Sequence, residues 1–176
     1  MAILKIIKYP DKILASHAKK IQKISPRLIK LSESMIETMY FFSGVGLAAN
    51  QVGVLEQLIV FDIKPGGKMM PVVIFNPELL YSAGSNVLEE GCLSFPGIAA
   101  NIKRAGKILI SGITPDEKDI RIELSGLAAR VAQHEMDHLK GVTLMDRVNI
   151  LKRWALRKEY FNKNKIPARL RRLSTK

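Results

Sequence analysis

The stretch that most constrains this chain is Gln133-His134-Glu135-Met136-Asp137-His138-Leu139-Lys140-Gly141. It holds two of the three histidines, four residues apart, with a glutamate directly after the first. At about 3.6 residues per turn, positions i and i+4 stack on one helix face. Two imidazoles so placed can grip one metal ion, with Glu135 beside the open coordination position as a proton carrier. The flanking residues predict the helix itself. Ser125 is a candidate N-cap, Leu127, Ala128, Val131, Ala132 and Leu139 recur at helical spacing, and Gly141 supplies the stop. The same pattern also falls on ordinary polar helix faces, so residues elsewhere must decide its meaning.

Upstream, residues 11–20 read as a short helix carrying His17, which has no metal-type neighbour and reads as a surface residue. Ser25-Pro26 signals a second helix start. That helix runs to about Phe42, with Leu28, Leu31, Met35, Ile36, Met39 and Phe42 as its core face. The small-residue stretch Gly44–Gly53 lets the backbone come close to a ligand or another strand. It has neither a phosphate-loop ending nor dinucleotide glycine spacing, and Gln51 is its one chemical handle. Gln57–Ile63 and Pro71–Phe75 read as strands around a Pro65-Gly66-Gly67 turn. Lys107–Ile113 and Asp119–Leu124 read as a hairpin with Pro115–Lys118 at its tip. Strands and helices in this order predict an α+β domain, its sheets wrapped around a buried, metal-bearing helix.

With 176 residues, 47% of them hydrophobic, one domain with a sizeable core is the simplest organisation. No apolar run approaches the roughly 20 residues that span a bilayer, and the lysine-interrupted N-terminus does not resemble a signal peptide. A lone cysteine, Cys92, excludes an internal disulfide framework and fits a reducing compartment, so a cytoplasmic location is expected. Charge divides the chain. Residues 147–176 carry 11 Lys/Arg and one acid, Glu159, out of a net charge of +12, so residues 1–146 are nearly neutral. A basic tail of that kind suits a polyanion such as RNA, or serves as a solvated terminus.

Two histidines need a third protein ligand to form a catalytic site with one open position. Leu144 stands where one class of metalloprotease has a third histidine, and leucine cannot ligate. Glu159 lies 21 residues after His138, but its basic surroundings suit a surface ion pair. Cys92, in Glu89-Glu90-Gly91-Cys92-Leu93-Ser94-Phe95-Pro96-Gly97, is the best candidate, although a single cysteine is more often a small buried hydrophobe.

Gly44–Gln51, Glu90–Ser94 and Gln133–Gly141 resemble, in order and spacing, the three signature motifs of peptide deformylases. The likeness extends to Tyr9-Pro10-Asp11, Phe75-Asn76-Pro77 and Leu144-Met145-Asp146. It implies antiparallel or mixed sheets around the motif helix, with a C-terminal helix. It divides the chain into a catalytic part, 1–146, and a basic helix and tail, 147–176, of the same domain. The implied reaction is hydrolysis of the N-formyl group of formyl-methionine on nascent peptides, releasing formate.

By the same resemblance, Cys92, His134 and His138 bind one divalent metal per chain. Ferrous iron is expected, with zinc, nickel or cobalt as substitutes. Glu135 moves the proton of the attacking water, and the Gln51 amide and Leu93 N–H stabilise the oxyanion. Val45, Leu127 and Val131 form the methionine pocket, and Gly46 and Gly91 leave backbone groups to pair with the peptide. Many bacterial members carry an arginine where this chain has Ala99, so altered downstream preference is expected, with Arg104 as a possible replacement. The amphipathic segment with Ile150, Leu151, Trp154 and Phe161 on its apolar side, and the basic end Arg169-Leu170-Arg171-Arg172, resemble a ribosome-docking extension.

Overall fold

Alternation in one four-residue strand sets the layering of the molecule. Leu58 and Val60 point to one face and Ile59 and Phe61 to the other, and all four are at most 2% exposed. A strand buried on both sides needs a helix on each, and the chain supplies both. The computed structural model describes residues 2–165, so Arg169–Arg172 lie outside the described residues.

Helix α1 (Pro26–Phe41) covers one face through Leu28, Met35 and Met39, which pack with Leu58, Val60 and Phe75. Helix α2 (Gly126–Leu139) covers the other through Ala129, Val131, Ala132 and Met136, against Ile59, Phe61, Ile74 and Ile110. The strands are β1 (Gly46–Ala48), β2 (Leu58–Phe61), β3 (Val72–Ala83), β4 (Asn86–Gly91), β5 (Ala99–Arg104), β6 (Lys107–Ile113) and β7 (Asp119–Ser125). They form a five-stranded sheet in the order β1-β2-β3-β6-β7 and a separate β4-β5 hairpin. All strand pairs are antiparallel. A third core joins the hairpin to helix α3 (Ile150–Lys163), with Phe95, Ile98 and Ile102 packed on Leu156, Tyr160 and Phe161.

Several expectations change. Residues 11–20 form only a 3₁₀ turn, Lys12–Ala15, after which His17, exposed, bridges to Lys140. Phe42 lies outside the core, 43% exposed, with its ring edge-on to Phe41. On α3, Ile150, Leu151 and Trp154 are 69, 81 and 71% exposed, and of the expected stripe only Phe161 docks. Leu156 and Tyr160 take their place, because the Tyr160 hydroxyl donates to the Tyr9 carbonyl at 2.7 Å and its ring packs on Phe95.

Candidate active site

Four segments converge on one point. The extended N-terminal segment staples two of them together: Ile7 N–H donates to the Gln51 carbonyl and Tyr9 N–H to the Ser94 carbonyl. Gln51 lies in the 3₁₀ turn Ala49–Val52, which Gly53 ends in a left-handed conformation. Cys92 opens a tight turn closed by the Phe95 N–H on the Cys92 carbonyl, 2.9 Å. That bond leaves the Leu93 N–H outside the turn's own pairing. Helix α2 supplies the rest. It starts after Ser125, whose side chain makes no capping bond, and it stops at Gly141 (φ +67°). A Cβ at Gly141 would stand 2.5 Å from the Ala15 carbonyl oxygen, so only glycine fits that close approach.

Cys92, His134 and His138 present ligand atoms that all lie within 4.8 Å of one another. Cys92 Sγ is 3.2 Å from His138 Nε2. A tetrahedral centre with ordinary metal–sulfur and metal–nitrogen lengths needs about 3.5 Å between such atoms, so the donor set fits a divalent transition metal. Behind His134, Glu90 Oε2 lies 3.0 Å from Nδ1, leaving Nε2 to face the centre. Burial alone would raise the Glu90 carboxyl, but hydrogen bonds from His134 and Arg104 outweigh it and hold it at about 2.

Those bonds belong to a buried charge network that single-residue reading of the sequence did not assign. Arg104 donates to Glu90 at 2.9 Å and to Asp137 at 2.5 Å. Arg130, one helical turn before His134, donates to Glu90 at 2.5 Å and to the Ile102 carbonyl. Arg147 closes the ring on Asp137 at 2.8 Å. Arg104, only 5% exposed, therefore does not face a peptide, contrary to expectation, because two carboxylates hold its guanidinium inside. The available signal was spacing: Arg130 and Asp137 share the motif helix with the histidines, and Glu90 is two residues from Cys92.

The polar groups on the cleft side of the cluster are also fixed. Gln51, 1% exposed, accepts from the Ala48 N–H through Oε1, which turns Nε2 toward Cys92 Sγ (3.4 Å) and Ser94 Oγ (3.2 Å). Glu135 is 4% exposed, its Oε2 has no partner among the described residues, and burial raises its carboxyl to about 7. A carboxyl of that kind can take and release a proton near neutral pH. Outside the cluster opens a cleft of about 540 Å³, whose lining includes Val45, Gly46, Gly91, Leu127, Val131 and Ala99. Among the described residues β1 ends its sheet and β4 pairs only with β5, so each brings an unpaired edge. Glu159, the alternative ligand, pairs with Lys163 at 2.7 Å on the surface of α3.

Known proteins resemble this chain over most of its length. The polypeptide deformylase family model matches residues 3–154. A peptide deformylase of Thermodesulfovibrio yellowstonii is 47% identical over 93% of this chain and 99% of its own length. The crystal structure of a peptide deformylase from Legionella pneumophila superposes with a TM-score of 0.88 at 39% identity, covering 96% of this chain and 99% of that one. The peptide deformylase of Thermotoga maritima gives 0.80 at 41% identity, covering 85% and 99%.

Proposed function

Because this chain belongs to the polypeptide deformylase family, we propose that Cys92, His134 and His138 hold its metal and that Glu135, Gln51 and the Leu93 N–H act on the formyl group. The enzyme is a hydrolase that removes the N-formyl group from newly made polypeptides. The family is metal-dependent, and ferrous iron is the ion we assign, with zinc, nickel and cobalt accepted by the same thiolate–imidazole set. The observation that carries the site assignment is the convergence of this cluster, the partnerless Glu135 Oε2 and the Gln51 amide at one cleft.

When bound, the metal supplies a water acidic enough to act as hydroxide near neutral pH. Glu135 takes the proton of the attacking water at Oε2 and passes it to the departing amine. Gln51 Nε2–H and the Leu93 N–H donate to the formyl oxygen as negative charge develops there. Val45, Leu127 and Val131 receive the methionine side chain. Gly46 and Gly91, on two unpaired strand edges, pair with the peptide backbone. Ala99 at the cleft lining removes the contact an arginine would make, so preference beyond the first residue shifts while the chemistry is kept.

We assign residues 147–176 to the same domain as the catalytic part, a reading supported among the described residues by Leu156, Tyr160 and Phe161 sharing a core with Phe95 and Ile102. The exposed Ile150, Leu151 and Trp154 and the surplus of 11 Lys/Arg over one acid support docking to the ribosome, with formyl-methionyl nascent chains as substrate. Among the described residues no helix is long and apolar enough to cross a membrane, and we assign a cytoplasmic location. The test of the reaction is formate release from formyl-Met-Ala-Ser by anaerobically purified, iron- or nickel-loaded protein. Turnover that vanishes in Glu135→Ala with metal still bound supports the assignment. No turnover by the fully loaded wild type overturns it.

A further inference from the structure

The two histidines of the cluster differ in what stands behind them. Each turns Nε2 toward the centre, which leaves Nδ1 to carry the ring proton when the metal is bound. A buried Nδ1–H needs an acceptor to fix the ring and its tautomer. His134 has Glu90. His138 Nδ1 is buried with no partner among the described residues.

Two buried side-chain acceptors are equally without a partner among the described residues, Glu135 Oε2 and Asn50 Oδ1. The first is committed to the reacting proton. Asn50 is 0% exposed, and its Nδ2 donates 2.5 Å to the backbone carbonyl of His138 itself. That bond fixes which end of the amide is oxygen and anchors it on the residue whose ring lacks an acceptor. A buried donor and a buried acceptor left apart are each costly, and joining them removes both costs.

We propose that Asn50 is the positioning residue of His138: its Oδ1 accepts the Nδ1–H, directly or through one buried water, when Nε2 engages the metal. Resting on the metal-centre reading above, this gives His138 the support that Glu90 gives His134. It also couples two parts of the site. Asn50 immediately precedes Gln51 in the Ala49–Val52 turn, so one turn both aims the oxyanion donor and holds a metal-binding ring.

The test uses the full chain loaded with zinc or cobalt. Long-range ¹H–¹⁵N spectra of the zinc form should show a slowly exchanging Nδ1–H on His138. In Asn50→Ala that proton should exchange rapidly, cobalt affinity measured against a chelator should fall roughly 10- to 100-fold, and the cobalt d–d bands should shift. Asn50→Asp keeps an acceptor but cannot donate to the His138 carbonyl, so it should retain the protected proton. Unchanged cobalt affinity and a still-protected proton in Asn50→Ala would overturn the proposal. So would Asn50→Asp behaving as Asn50→Ala, since Asn50 would then act only through the carbonyl bond. A wild type with no cysteine-to-cobalt charge-transfer band fails earlier and differently, sinking the metal-centre reading itself.

Discussion

Gly46 shows how little room surrounds the Glu135 carboxylate. A Cβ there would stand 2.5 Å from Glu135 Oε1 and 2.7 Å from Val131 Cγ1. The glycine we propose as a backbone partner for the peptide thus also makes space for Glu135, the proposed proton carrier. In Gly46→Ala the end of the Glu135 side chain must give way before the backbone does. We expect kcat for formyl-Met-Ala-Ser to drop on the order of 10- to 100-fold, with a small change in Tm; steady-state kinetics beside calorimetry will show it. Glu135 carries a second consequence. Its unfolded carboxyl ionises near ~4.3, whereas burial raises the folded one to about 7, with His134 and Arg104 pulling against burial. Burial of the charge therefore costs stability, and the cost grows as pH rises from the lower value to the higher. Glu135→Gln has no charge to bury. In metal-free protein it should gain on the order of 3 kcal/mol at pH 8 and nothing at pH 4, while losing turnover. Urea melts at the two pH values measure this, and an equal effect at both would show that ionisation is not the cause.

At the scale of elements, legibility followed where each strand or helix finds its partners. β6 and β7 were readable to within a residue because Ile108 and Ile110 alternate against a core face and Ile120, Ile122 and Leu124 continue the pattern on the neighbouring strand. β4 and β5 were not, because Glu90 and Arg104 point inward and satisfy each other across the hairpin, a pairing invisible to a hydrophobic pattern. The site divides the same way. Cys92, His134, Glu135 and His138 stand in short local motifs, whereas Arg104, Arg130 and Asp137 have meaning only once the hairpin folds over α2. Helix α3 offered two apolar sets at helical spacing, and periodicity cannot say which one docks. The structure gives a sharp expectation for each. Leu156→Ala removes a side chain 7% exposed in the third core and should cost about 2–5 kcal/mol. Trp154→Ser, at a residue 71% exposed, should change stability by no more than about 0.5 kcal/mol. Chemical denaturation of both variants decides whether the docked face has been identified, since the opposite ranking would reverse the helix.

The whole molecule is held by helices on both faces of one sheet, and one buried ion ties the outer helix to the sheet's connections. Asp62, 1% exposed at the end of β2, accepts from the Tyr40 hydroxyl on α1 at 2.5 Å and from the backbone N–H groups of Lys64 and Met70. Burial alone would raise its carboxyl, but these hydrogen bonds outweigh burial and hold it below the usual carboxylate range. Burial and the same bond raise the Tyr40 hydroxyl to about 12. The signs define a window. A depressed carboxyl contributes stability above its unfolded value of about 3.9, lost as pH falls through the lower folded value. A raised phenol contributes stability below its unfolded value of about 10, lost as pH rises toward 12. Tyr40→Phe should therefore cost about 1.5–3 kcal/mol near pH 7, the worth of a hydrogen bond to a charged group. The difference from wild type should narrow on both sides, below about pH 4 as Asp62 protonates and above about pH 10 as Tyr40 would ionise. Urea unfolding of the two proteins at acid, neutral and alkaline pH tests this. A difference that stays constant across the series would mean that the bond acts as a neutral contact and that the acid stability of the molecule is set elsewhere, with the Glu90–Arg104–Asp137 network the next group of charges to vary.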